Sequence, residues 1–150
     1  WLIPIDEVII PGQDQNANTI NDFNSLVQVM ELDFIQQLAG LAANVADTPN
    51  PEGANEDWSW SRANGEEGTA LRLREGIERF LITDINNPAG SAQAQSDIQI
   101  MYDIFDQQAG DFNHLPGGGN ILYMDGHVEF VRYPGEGVAS RAFAVLTAQF

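Results

Sequence analysis

Two histidines and one aspartate lie close together in the last third of the sequence, and these residue types can hold a zinc ion. His114 and His127 are the only histidines, and with Asp125 they give the pattern His-x10-Asp-x-His. A zinc site needs at least three convergent nitrogen, sulfur or oxygen ligands. However, Asp125 is followed by Gly126, and this dipeptide is typical of a tight turn between two strands. We therefore favour a structural role for these residues over a zinc site.

Alternating oxygen-bearing side chains near the N-terminus are candidate calcium ligands. Asp14, Asn16 and Asn18 are spaced like the first ligands of a calcium-binding loop. The pattern then fails, because Thr19 and Ser25 occupy the positions where an EF-hand has glycine and a bidentate glutamate. A turn that leads into a helix cap is the preferred interpretation. A second candidate set for calcium consists of three aspartates near the predicted hairpin: Asp103, Asp106 and Asp111.

Two groups of residues are candidate partner contacts. Trp58 and Trp60 lie two apart in an acidic segment, where their broad rings could stack on a sugar or on a neighbouring subunit. The alternative is that one or both rings pack inward and anchor the segment. Half of the six basic residues fall within eight positions: Arg72, Arg74 and Arg79. In an assembly of acidic subunits, we expect this cluster to face an acidic neighbour.

The sequence lacks the common signatures of catalysis. It has no nucleophile elbow and no phosphate-binding loop, because the glycines 117–119 precede a predicted strand rather than a helix. Among 22 acidic residues, nothing singles out a pair for acid–base chemistry. We therefore predict that the protein is not an enzyme.

Length, charge and hydropathy restrict the classes of function further. The chain of 150 residues is long enough for one domain with its own core. Its formal charge of −16 would repel a nucleic acid or an anionic lipid surface, so both are excluded as partners. No run of residues is apolar and long enough to span a membrane, and there is no cysteine for a disulfide or a thiolate metal site.

Apolar periodicity predicts the elements that position these residues. Residues 1–10 are β-prone, and an apolar stripe predicts a helix over 20–45 that is capped near Thr19 and Asp22. The segment 47–68 is predicted to be a long surface loop, and 69–81 a second helix.

The C-terminal third carries the clearest local signal. Residues 97–105 are predicted to form a strand and 138–150 a short helix. Two apolar runs flank Asp125-Gly126, which predicts a β-hairpin over 120–133 with a two-residue type I′ turn. That register would place Ile121 opposite Phe130 and Tyr123 opposite Val128, on one apolar face that covers a helix.

The motif at His114, Asp125 and Gly126 also resembles the signature of a family of prepilin-type, pseudopilin-like proteins, which is a histidine, nine residues, then Asp-Gly. In this chain, ten residues separate His114 from Asp125. The runs 74–96 and 120–134 resemble longer members of that family, so the resemblance covers roughly the second half of the chain.

The resemblance implies an α+β pilin-like head, related to type IV pilins and type II secretion pseudopilins, as a single domain over 1–150 without the N-terminal assembly helix. It implies a structural subunit of an extracellular or cell-surface filament or pseudopilus, processed from a longer membrane-anchored precursor. Its partners would be copies of itself or related pilin-like subunits, and the family includes calcium-binding members. The rival hypothesis is a secreted module that binds a glycan or an envelope partner through the Trp58 and Trp60 loop.

Overall fold

The computed structural model of the chain describes residues 3, 5–47, 55–77, 95–108, 114 and 117–148. These residues form four α-helices, a short 3-10 helix and two antiparallel sheets, so the fold class is α+β, as predicted. The helices are α1 (Ile5–Val8), α2 (Phe23–Leu26), α3 (Leu32–Asp47) and α4 (Arg141–Thr147), with the 3-10 helix at Gly137–Ala139. The strands are β1 (Trp58–Ser61), β2 (Glu67–Ala70), β3 (Gln99–Tyr102), β4 (Gly118–Tyr123) and β5 (Val128–Arg132).

The composition of residues 1–10 predicts an edge strand or an extended lead-in, but residues 5–8 are helical, and residues 1, 2 and 4 lie outside the described part. The described residues of this segment contain the short helix α1, and only Ile9 forms a β-bridge, with Met30. The backbone of Glu31 also donates to Val8 O at 2.9 Å. Burial of Val8 in the core and this pairing with residues 29–31 together fix the segment.

The single helix predicted over 20–45 is two helices. Asp22 caps α2 in a reciprocal box with Ser25, three residues later than the predicted cap at Thr19. Residues 27–31 leave the helix because the backbones of Met30 and Glu31 pair with the N-terminal segment, and α3 begins at Leu32. The apolar spacing continues across this break, so periodicity alone could not reveal it.

The predicted surface loop 47–68 and the predicted helix from 69 are replaced by a hairpin in the described residues. Strands β1 and β2 pair in antiparallel register, with Trp60 opposite Gly68. Residues 71–77 are not helical, and Gly76 at the turn has a φ of +76°. Residues 78–81 of the predicted helix lie outside the described part.

The C-terminal sheet has the order β3-β4-β5 and confirms the predicted hairpin, but its register differs by one residue. Ile121 lies opposite Glu129 rather than Phe130, and Leu122 lies opposite Val128. The turn holds three residues instead of two, because Gly126 N donates to Tyr123 O and Tyr123 N to His127 O. Among the turn residues 124–126, only Gly126 has a positive φ, +91°. This is the pattern of a three-residue hairpin, in which a type I turn is followed by a bulge.

One hydrophobic core joins the helices to both sheets. Helix α4 lies at its centre, with all of Ala142–Leu146 buried, which confirms the predicted C-terminal helix. Phe34 of α3, Trp60 of β1 and Ile121 of β4 are fully buried in the same cluster. Among the described residues, no helix is long and apolar enough to cross a membrane.

Candidate interaction surface

His114 is held at the N-terminal end of β4 by a small polar cluster. Its Nε2 lies 3.1 Å from Asp103 Oδ2 and 2.9 Å from Asn120 Nδ2. Asn120 donates to the same carboxylate oxygen from its backbone N–H at 2.8 Å and from Nδ2 at 3.0 Å. The backbone N–H of Asn120 is the main cause that lowers the pKa of Asp103, and the Asn120 side chain and His114 lower it further. Partial burial of the carboxylate opposes this shift. The cluster therefore joins β3, β4 and the preceding loop.

Asp125 has an equivalent role at the other end of β4. Its Oδ1 accepts the backbone N–H of His127 at 3.0 Å and lies 2.5 Å from His127 Nδ1. These bonds lower the pKa of Asp125. The His127 ring stacks on Tyr123, with ring centroids 4.3 Å apart. The carboxylate thus closes the turn.

The zinc set suggested by the sequence is not assembled. His114 bridges to Gly118 at one end of β4, whereas Asp125 and His127 follow Tyr123 at the other. Six residues of strand at about 3.3 Å each separate the two ends by roughly 20 Å, far beyond the reach of shared zinc ligands. The ten residues between His114 and Asp125 therefore consist of β4 and the short connections at its two ends.

The proposed calcium ligands near the N-terminus have other contacts. Asp14 Oδ1 accepts the N–H of Asn16 at 2.8 Å, as in an Asx turn. The Asn16 side chain donates to Gly135 O at 2.8 Å and accepts from Arg141 N at 3.0 Å, which fixes this loop to the start of α4. The Asn18 carbonyl accepts from Asn21 Nδ2 at 3.2 Å. This agrees with the turn interpretation.

Calcium binding by either candidate set stays a prediction. Within the described ranges, no group of three or more His, Asp or Glu side chains is placed to hold a metal ion. Of the second candidate set, Asp103 is bound to Asn120 and Asp106 accepts the N–H of Gln108, while Asp111 lies outside the described residues.

The two tryptophans do not form an open platform. Both lie on one face of β1, and Trp60 is only 1% exposed. Phe34 packs against both, with its centroid 5.6 Å from that of Trp58 and 5.0 Å from that of Trp60, while the two tryptophan centroids are 5.5 Å apart. The Trp60 ring also lies against Gly68, where a Cβ would be 2.3 Å from it. The alternative of inward packing is therefore correct for Trp60, and Trp58 is partly buried beside it.

The arginine cluster is not on a helix in the described part. Arg72 donates from its backbone N to Asp57 Oδ1 at 2.8 Å and from its guanidinium to Asn55 O. Arg74 lies 3.8 Å from Asp57 Oδ2. Both arginines thus bind the segment before β1, and Arg79 lies outside the described residues.

The register of the C-terminal hairpin exposes an apolar surface. Because opposite residues of an antiparallel pair share a face, the buried side chains of Ile121 and Tyr123 lie on one face of the sheet. The other face, here called the outer face, carries the apolar side chains of Met101, Leu122, Val128 and Phe130, together with the polar side chains of Asn120 and Arg132. Of these, Met101, Val128 and Phe130 are 63%, 60% and 49% exposed.

The Phe130 ring is held by contacts with Gly118 and His114. It lies over Gly118, where a Cβ would be 2.6 Å from Cζ, and its centroid is 6.1 Å from that of the His114 ring, in an edge-to-face arrangement. The motif histidine therefore borders the outer face.

The opposite, inner face has an acidic cavity beside β5. The cavity has a volume of about 490 Å³ and contains three carboxylates, from Asp97, Glu129 and Glu136, and none of its described lining residues is basic. Tyr123 donates to Glu129 Oε2 at 3.5 Å. Burial is the main cause that raises the pKa of Tyr123, and the carboxylates of Glu129 and Asp97 raise it further.

The outer face depends on a three-residue turn, whereas the Asp125-Gly126 pair predicts a two-residue turn. One added turn residue moves the whole of β5 to the opposite pleat, so that Val128 and Phe130 face outward. The signal that could have revealed it is Gly118-Gly119, two small residues where large side chains approach: Phe130 over Gly118 and Phe105 over Gly119.

Comparisons of the chain with protein-family models, with curated proteins and with solved structures find no match.

Proposed function

We propose that this protein is a structural subunit that acts by assembly, as the pilin-like or pseudopilin-like head of an extracellular or envelope filament. The observation that carries the proposal is the outer face of the C-terminal sheet. A buried hairpin would turn Val128 and Phe130 inward, but here both are exposed on a strand paired with β4. Neighbouring exposed apolar residues on a sheet are characteristic of protein–protein contacts.

The resemblance to the pseudopilin-like family supports the same function. The residues of its motif frame the sheet: His114 fixes the start of β4, and Asp125 with Gly126 forms its terminal turn. In this proposal the motif preserves a surface for assembly. Processing from a longer anchored precursor and an extracellular location belong to the same proposal.

Catalysis is not part of this proposal. The described residues contain two histidine–aspartate pairs, and each aspartate accepts a local backbone hydrogen bond. Asp103 accepts the N–H of Asn120, and Asp125 accepts the N–H of His127. Among the described residues, no hydrogen bond joins either pair to a nucleophilic side chain, which nucleophilic catalysis requires. The glycan-binding alternative loses its main support because Trp60 is buried.

The proposal is tested by removing an exposed aromatic side chain from the outer face. Phe130→Ser should weaken self-association or association with related subunits, measured by sedimentation velocity and negative-stain electron microscopy. Leu73→Ser is the matched control, because Leu73 is 52% exposed but lies outside the C-terminal sheet. Equal association of wild type and Phe130→Ser, with both variants folded, would contradict assembly through this face.

A further inference from the structure

Strand β5 presents an unpaired backbone edge. Within the described part of the chain it pairs only with β4. Tyr123 N donates to His127 O, and antiparallel pairing alternates, so the N–H and C=O groups of Glu129 and Val131 also point to β4. The backbone groups of Val128, Phe130 and Arg132 therefore point away from the sheet. Such an edge is a template for an added strand.

The two faces beside this edge differ in chemistry. On the outer face, Val128 and Phe130 flank the edge with apolar side chains, and Arg132 follows them at the end of the strand. On the inner face, Glu129 borders the acidic cavity that also contains Asp97 and Glu136. Because side chains of a strand alternate between faces, each residue of an added strand would meet one environment or the other.

We propose that the free edge of β5 binds an extended segment of a different protein subunit, with side chains that alternate between apolar and basic. Its backbone pairs with Val128, Phe130 and Arg132. Its apolar side chains extend the outer face, and its arginines or lysines enter the cavity beside Glu129. This inference rests on the proposed assembly function and specifies the partner for the same sheet.

The charge distribution argues against a second copy of this chain as the occupant. Two copies joined edge to edge would bring their acidic cavities together, and each copy carries a net charge of −16. The chain has one segment with the required alternation, Leu71–Arg74, but its arginines are already bound to Asn55 and Asp57. A separate basic strand complements the edge without this cost.

The inference is tested with a capped peptide of about nine residues, long enough to span β5, in which valine and arginine alternate. Binding to the full 150-residue chain is measured by fluorescence anisotropy near physiological salt. Phe130→Ser and Glu129→Gln should each weaken binding about ten-fold, because each removes a central contact of one face. Glu75→Gln is the charge-matched control, since it removes an exposed carboxylate far along the chain from β5, and it should leave binding unchanged.

Hydrogen exchange supplies a readout that simple charge attraction would not change. On binding, the amides of Val128, Phe130 and Arg132 should become protected, whereas those of Glu129 and Val131 are already paired with β4 and serve as internal controls. A peptide of the same composition with its valines and arginines in separate blocks should not protect the edge. Equal binding of both peptides, or equal weakening by Glu75→Gln, would overturn the inference.

The outcome for the assembly function is read separately. If the peptide fails to bind while Phe130→Ser still reduces assembly, the outer face is the contact and the edge-pairing inference is wrong. If the peptide binds and protects the edge but Phe130→Ser leaves assembly unchanged, the edge inference stands and the assembly proposal fails.

Discussion

At the scale of single residues, two glycines decide how the hairpins turn. Gly65 and Gly126 each end a three-residue loop with a positive φ, +84° and +91°. Asn64 and Asp125 precede them and accept a nearby backbone N–H, from Glu66 and His127. The Asp-Gly pair therefore predicts a turn correctly but does not specify its length. The length of the turn decides which side chains of β5 lie on the outer face of the sheet.

Replacing Gly126 by alanine should cost about 1 kcal/mol of unfolding free energy, because an L-residue is strained in the left-handed region. A Cβ at Gly126 meets no atom within 4 Å, so the cost would come from the backbone alone. Urea unfolding measures it. Gly40→Ala is the control, because Gly40 lies within α3, also has no atom within 4 Å of a built Cβ, and should gain stability. A Gly126→Ala variant as stable as wild type would contradict the turn.

The lowered pKa of Asp103 predicts an acid-dependent contribution to stability. The Asn120 N–H holds the folded pKa below the usual value of 3.8, so the ionised carboxylate stabilises the fold above that pH. This stabilisation is lost as the pH falls through the lower folded pKa. Asp103→Asn should therefore be less stable than wild type near neutral pH, with the difference narrowing in acid.

Unfolding free energies measured between about pH 2 and pH 7, across the titration of Asp103, would show this convergence. Glu75→Gln, which changes an exposed carboxylate, should follow wild type over the whole range. A difference between Asp103→Asn and wild type that stays constant with pH would show that the carboxylate charge is not responsible.

At the scale of elements, two carboxylates hold the β1–β2 hairpin to α3. Asp33 Oδ2 accepts the N–H of Ser61 at 2.7 Å, and Glu31 Oε2 accepts the N–H of Ala63 at 3.1 Å. Glu31 is 3% exposed, so this contact is shielded from water. These long-range contacts explain why 58–61 is a strand although its sequence reads as loop.

Glu31→Ala should destabilise the fold by about 1 to 3 kcal/mol, because it leaves the Ala63 N–H without its partner. Amide exchange at Ala63 and Ser61 should accelerate more than exchange in β4. Glu75→Ala, at an exposed position, should have no such local effect. Uniform acceleration throughout the chain would indicate general destabilisation and contradict a specific clamp.

The elements also show which predictions a sequence can support. The existence of the C-terminal hairpin, β3 and α4 is predicted correctly because local turn chemistry and periodicity coincide there, whereas the register and the turn length of the hairpin are not. The predictions for 1–10, 27–31 and 71–77 were wrong because pairing with distant segments overrides local preference, as Met30 does with Ile9. The same holds for the candidate site. The sequence identifies the motif residues, but it does not predict the exposure of Phe130, because that exposure depends on the strand register.

At the scale of the whole molecule, charge opposes self-association while apolar surface favours it. The net charge of −16 acts over the entire surface, and about 0.15 M salt reduces its range to roughly 8 Å. Arg74 lies 3.8 Å from Asp57 Oδ2, which reduces the positive charge that it presents to a neighbour. Assembly through the outer face should therefore depend on screening rather than on complementary arginines.

We expect self-association, measured by light scattering, to increase with sodium chloride and to be indifferent to Arg74→Glu and to a calcium chelator. Phe130→Ser should lower it at every salt concentration, because screening cannot replace an apolar contact. Binding of the alternating basic peptide should show the opposite trend and weaken with salt, since it depends on attraction to Glu129 and its neighbours. Dissolution of the assemblies by chelator would instead show that divalent cations bridge the acidic subunits, and loss of association with rising salt would show that complementary charges hold them together.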